Sequence, residues 1–124
     1  MVDQRVPFTL SQQVTFDASG NGNVRFQPLG EEWEIEYLSV SATYPTSGLT
    51  RQGSGFTYVG QIGAQYKIDE TVNPSTGDTS DTRIWLQDGE SLYFEWQDAS
   101  PNQVGTAVIR GYKTVVRRGF RTKV

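Results

Sequence analysis

Neither cysteine nor histidine occurs among these 124 residues. Without cysteine there is no disulfide framework, and the redox compartment cannot be read. Together the two absences remove Ser-His and Cys-His nucleophile pairs, and with them any zinc site built on those ligands. Long apolar runs are missing as well: nothing approaches the roughly 18 consecutive apolar residues of a membrane span. The opening MVDQRVPFTL has no positive segment followed by an apolar run, so no secretory signal is expected. No glycine-rich phosphate loop ends in Lys-Ser or Lys-Thr, and no Rossmann turn precedes a helix. Helical apolar periodicity never persists beyond two turns.

What is present is period-two alternation and frequent turn residues. A chain of this length is expected to form one domain with an ordinary core. In residues 13–27, Val14 and Phe16 share one face and Val24 and Phe26 another. The intervening Gly20-Asn21-Gly22 predicts a hairpin. In EEWEIEYLSVSATY (31–44), Trp33, Ile35 and Tyr37 alternate with Glu32, Glu34 and Glu36, and then the phase slips to Leu38, Val40, Ala42 and Tyr44. Either a β-bulge near Tyr37–Leu38 restores the register, or the strand passes between two sheets.

Residues 47–55 read as a loop. From Phe56 to Ile68 an apolar face runs along the even positions, too long for one strand, with Gly60 and Gly63 marking a bend or break. Residues 69–82 form the longest polar segment and are expected to be a surface excursion. Strands over 83–87, 91–96 and 104–116 follow, separated by an Asp88-Gly89 turn and the loop 97–103. The pattern predicts an all-β, antiparallel β-sandwich of about eight strands, jelly-roll-like or, as the alternative, immunoglobulin-like. Phe94 and Trp96 are expected in its core, since each aromatic can bury roughly 150–250 Å². Tyr93, with its polar tip, is the more suitable surface contact.

Charge is unevenly placed. From Arg110 onward there are six bases and no acid, so the first 109 residues hold five bases against all fourteen acids, a balance of −9. The domain plan is therefore a segment 1–12, a sandwich over 13–116 and a basic tail over 117–124. Val6, Phe8 and Leu10 alternate in the first segment, which suits either a first strand or an arm added to a neighbour's sheet. The tail residues Arg117, Arg118, Arg121 and Lys123 read as an arm docking on an acidic protein surface, or as a solvated strand end. The acidic body would repel a phosphate backbone, so nucleic acid is not the expected partner.

The remaining chemistry is carboxylate chemistry. Glu32, Glu34 and Glu36 project from one strand face, whereas a glycosidase needs two carboxylates on opposite sides of a bond. They read as a solvated acidic face, or as half of an interface with a basic partner. Asp69, Glu70, Asp78 and Asp81 do not follow the spacing of a calcium loop, and Asp78 and Asp81 read as turn caps. No cofactor, metal or catalytic residue is expected.

The segment 78–115, with GEEWEIEYLSVSAT before it, resembles a β-sandwich module of virion proteins in tailed bacteriophages, especially those of actinobacterial hosts. The resemblance lies in Trp33 followed by alternating Val and Ser, the run Asp78–Asp81, and the turn Gly89-Glu90-Ser91-Leu92. It continues in the aromatic pair Phe94 and Trp96 and in Gly105-Thr106-Ala107-Val108. It covers roughly residues 30–115. It departs in the loop after Trp96, where the module carries more Thr-Gly-Gly and this chain has Gln97-Asp98-Ala99-Ser100-Pro101.

The resemblance implies a non-enzymatic structural protein. The size, acidity and basic tail suit a capsid decoration protein on the outer shell. Its implied partners are the major capsid protein and its own copies as a homotrimer, with Phe8 and the tail cations as docking residues. The alternative is a tail-tip or fibre-associated module binding host-surface carbohydrate, for which Tyr44, Tyr58, Trp85 and Tyr93 are candidate platforms.

Overall fold

The computed structural model describes residues 5–42, 53–72, 78–80 and 83–115. Nine strands appear among them: β1 Arg5–Thr15, β2 Gly22–Phe26, β3 Glu31–Ala42, β4 Ser54–Val59, β5 Lys67–Val72, β6 Asp78–Ser80, β7 Ile84–Leu86, β8 Leu92–Gln97 and β9 Val104–Val115. A single 3-10 turn at Ala64–Tyr66 lies between β4 and β5. One sheet runs β1-β9-β3, with β6 and β7 sharing the far edge of β3; the other runs β2-β8-β4-β5. Every pairing is antiparallel. The molecule is an antiparallel β-sandwich, as the alternation predicts.

The core fills from both inner faces. Leu92, Phe94 and Trp96 project from β8, Val24 and Phe26 from β2, and Ala107 and Ile109 from β9, all buried. Burying each large side chain stabilises the fold by about 1.5–3 kcal/mol. Ring pairs lock the layers: Phe26 meets Phe94 edge-on at 5.8 Å, and Phe16 meets Trp96 at 5.7 Å.

In β3 the phase slip resolves as a β-bulge. The register with β9 shifts between Ile35 and Tyr37, so Glu36 is the extra residue. Trp33 and Ile35 before it, and Leu38, Val40 and Ala42 after it, all reach the same core. The strand stays in one sheet, and Tyr37 turns outward, away from the set in which the sequence alternation places it.

The hairpin expected at 13–27 does not form. β1 pairs with β9 and β2 with β8, so the chain crosses from one sheet to the other between them. The turn chemistry is real but serves a corner. Asp17 Oδ1 accepts the N–H groups of Ser19 and Asn21, and Gly20 adopts φ +79°. A Cβ on Gly20 would stand 1.8 Å from the Ala99 carbonyl oxygen, so the corner packs against loop 98–103 with only a glycine between. Ala99 N–H donates to the Gly20 carbonyl at 3.0 Å, and Asp98 N–H to Asn21 Oδ1 at 3.0 Å. Those bonds hold the loop after Trp96 in place.

Two further expectations change. The described part of the polar run 69–82 is strand: its first four residues complete β5 and Asp78–Ser80 form β6, while 73–77 and 81–82 lie outside the described residues. Both are edge strands, where polar side chains are tolerated and discourage stray pairing. Asp78 therefore sits in a strand and not in a turn. The loop expected at 47–55 already gives way to β4 at Ser54. The break near Gly60 is as expected, with β4 ending at Val59 and Gly60 at φ +100°.

Candidate functional site

Both outer faces of the sandwich carry aromatic side chains. On the second sheet, core-facing Thr57 and Val59 leave Phe56 and Tyr58 on the outer face. There they neighbour Tyr93 and Glu95 of β8. The Tyr58 hydroxyl donates to Glu95 Oε1 at 3.0 Å, and Lys67 Nζ lies 5.4 Å from the Phe56 ring centroid. Burial above all, then the Glu95 hydrogen bond and the Glu95 and Glu70 charges, push the Tyr58 hydroxyl up to about 12.

The outer face of the first sheet is richer in charge. Glu34 lies in register between Trp85 of β7 and Tyr112 of β9, and Tyr112 faces Pro7 of β1. Glu34 is buried, which corrects the expectation of a fully solvated glutamate face. Its Oε1 accepts from Arg5 Nη2 at 2.5 Å, and its Oε2 lies 3.5 Å from Arg83 Nη1. Arg83 also reaches Glu36 at 3.6 Å. Glu32 alone of the three is exposed. The partners of Glu34 come from positions 5 and 83, far along the chain, and alternation within one strand gives no signal of them. A buried carboxylate is stable only when paired in this way.

Two arginines also stack on tyrosines. The Arg5 guanidinium lies 4.3 Å from the Tyr112 ring centroid, and the Arg110 guanidinium 4.3 Å from that of Tyr37. Beside the Glu36 bulge lies a cavity of about 280 Å³, lined by Pro7, Glu36, Tyr37, Arg110, Gly111 and Tyr112. Bulges commonly sit beside functional sites because they re-aim side chains. Sequence reasoning missed this cleft. Its one available signal was the phase slip at residues 36–38.

The other expected residues fall in several places. Trp33, Phe94 and Trp96 are buried in the core. Gly89 is in the turn after β7, where Glu90 N–H donates to the Gln87 carbonyl at 2.9 Å. Gly105 faces the core beneath Trp96. Phe8 packs against the core and stacks on Trp33 at 5.1 Å, so its own fold already engages it. Trp85 is 63% exposed. Arg117, Arg118, Arg121, Lys123 and Tyr44 lie outside the described residues. Asp69 Oδ1 accepts the Glu70 N–H, and Glu70 pairs with Lys67. Among the described residues no group of three acids converges to hold a metal ion.

Fold and surface thus define an antiparallel β-sandwich with aromatic side chains on both outer faces and paired charges on that of the first sheet. No protein-family model matches the chain, and no curated protein is similar to it in sequence.

Proposed function

We propose that this chain is a non-enzymatic structural protein of a bacteriophage virion. In this reading it is a capsid decoration protein that sits on the outer surface of the shell, bridges capsomers of the major capsid protein and self-associates as a homotrimer. The observation that carries the reading is the free flank of β1. This edge strand is eleven residues long, and among the described residues no strand pairs its outer side. On its inward face Val6 and Leu10 are 41% and 40% exposed, one on each side of Phe8. A long edge with exposed apolar side chains is where a second chain seats.

Pro7 supports a bounded contact. Lacking an N–H, it can sit in β1 only where its nitrogen faces away from β9, which removes one donor from the open edge. Unlimited strand addition is thereby discouraged, while side-chain packing on Val6 and Leu10 remains available. Several such weak contacts per assembly add through effective concentration. The strand order supports the jelly-roll form of the sandwich. β1 and β2 fall in different sheets, as do β2 and β3, and β3 and β4, whereas an immunoglobulin-like order pairs its first two strands in one sheet.

Copy number per particle tests the assignment. Hundreds of copies on a stained gel of purified virions are expected, and a handful would remove head decoration. Deleting residues 117–124 is expected to abolish binding to undecorated capsids, and rising salt to weaken binding of the intact chain. Normal decoration by the truncated chain at every salt level would remove the docking role of the tail.

A second reading is favoured by the exposed Trp85 in line with Tyr112: a tail-tip or fibre-associated module that binds host-surface carbohydrate. Enrichment of the isolated chain on host cells is its expected signature, and no enrichment would remove it.

A further inference from the structure

The cleft at the bulge differs from the rest of its face in one respect. Arg5 and Arg83 each have a carboxylate partner, in Glu34 or Glu36. Arg110 lies over the Tyr37 ring and forms no ion pair among the described residues. The guanidinium lies over the ring, and among the described residues none of its N–H groups reaches a carboxylate. A planar carboxylate fits a guanidinium fork through two parallel hydrogen bonds. On this face Arg5, Arg83 and Arg110 balance Glu32, Glu34 and Glu36, and Arg110 is the cation without a carboxylate partner among the described residues. The first 109 residues sum to −9, so this balanced face, with Arg110 left over its ring, stands apart from an acidic body.

The rest of the lining selects more than an ion. Pro7, Tyr37 and Tyr112 supply apolar walls, and Glu36 supplies an acceptor for hydroxyl groups. At about 280 Å³ the space lies just below the usual range for small-molecule sites, which suits one sugar ring. A neutral sugar would satisfy the walls and Glu36 but leave Arg110 without a counter-charge. Acetate would satisfy Arg110 and leave the walls bare.

We propose that this cleft binds a single uronic acid residue of a polysaccharide, its ring against Tyr37 and Tyr112 and its carboxylate on the Arg110 guanidinium. Glu36 accepts from the ring hydroxyls. The inference shares with the second reading above only that carbohydrate is the ligand. It concerns the isolated chain, so the sugar titration and the particle copy number succeed or fail separately.

The test is a titration of the full 15N-labelled chain with methyl glucuronide, followed by amide chemical shifts. Shifts centred on Tyr37, Gly111 and Tyr112 are expected, with a dissociation constant of a few mM, as for a weak single-unit ligand. Methyl glucoside and the Arg110→Gln variant are each expected to bind at least about tenfold more weakly, roughly 1.4 kcal/mol. Arg25→Gln, on the opposite sheet, is expected to bind as wild type. Equal affinity for glucuronide and glucoside, or unchanged binding by Arg110→Gln, would overturn the role of Arg110. Acetate binding as well as glucuronide does would overturn the sugar. No shifts up to about 50 mM ligand, a regime weaker than any useful site, would overturn the proposal as a whole.

Discussion

Gly105 leaves Trp96 no space to spare: a Cβ on Gly105 would stand 2.7 Å from the indole and 2.8 Å from the Phe16 ring. Both rings are buried and already in contact with each other. Gly105→Ala is therefore expected to destabilise the fold by about 1–3 kcal/mol through overpacking. Urea unfolding would report a lower midpoint with an unchanged slope. An unchanged midpoint would mean that the indole can shift aside.

Glu34 is buried while its two partners are not; Arg5 and Arg83 side chains are 55% and 65% exposed. Removing the acid leaves two solvated cations, so Glu34→Gln is expected to cost only about 1–2 kcal/mol. The double variant Arg5→Ala/Arg83→Ala strands a buried carboxylate and is expected to cost more, about 3 kcal/mol or above. The triple variant is expected to regain part of that loss. A double variant milder than Glu34→Gln would mean that water reaches Glu34 freely.

Tyr58 gives a pH signature. Its folded value of about 12 exceeds the ordinary value of 10.0, so between the two the folded state keeps a proton that the unfolded state has lost. Stability from this group is complete below about pH 10 and is lost as pH rises from there toward 12, by about 3 kcal/mol in all. Tyrosinate absorbance is expected to show a late step from Tyr58. Tyr58→Phe should remove that step and flatten the stability profile over the same window. A variant profile identical to wild type would assign the pH dependence elsewhere.

Deleting Glu36 separates the fold from the cleft. Without it, Trp33, Ile35, Leu38 and Val40 alternate without interruption, and β3 matches β9 one residue to one. The lost contact to Arg83 is exposed and worth at most about 1 kcal/mol. The deletion variant is expected to fold with near-native stability and to lose the glucuronide response at Gly111. Failure to fold would show that the bulge is required by the sheet itself.

These cases also mark what the sequence discloses. Strand positions follow from period-two alternation, and Phe94 and Trp96 are core residues on the same ground. The slip at Tyr37–Leu38 allows either a bulge or a passage between sheets, and only the pairing of β3 with β9 on both sides of Glu36 decides for the bulge. The hairpin at 13–27 failed because Gly20-Asn21-Gly22 specifies a reversal, not the sheet that each arm joins. Glu34 was misread because its burial depends on arginines brought in from Arg5 and Arg83, and local pattern carries no record of them. The cleft needs three strands, β1, β3 and β9, to exist at once. Its residues are unremarkable until those strands are side by side.

The central place of β9 constrains how the chain is made. It is the inner neighbour of both β1 and β3, so Arg5 waits for Thr114 and Glu31 for Val115. A ribosome must deliver some hundred residues before either long strand finds its mate. Until then the emerging polypeptide displays two unsatisfied ribbons, with Trp33 and Phe16 uncovered. Folding by halves is closed to such a molecule, and premature termination inside β9 should yield insoluble product rather than a smaller working version.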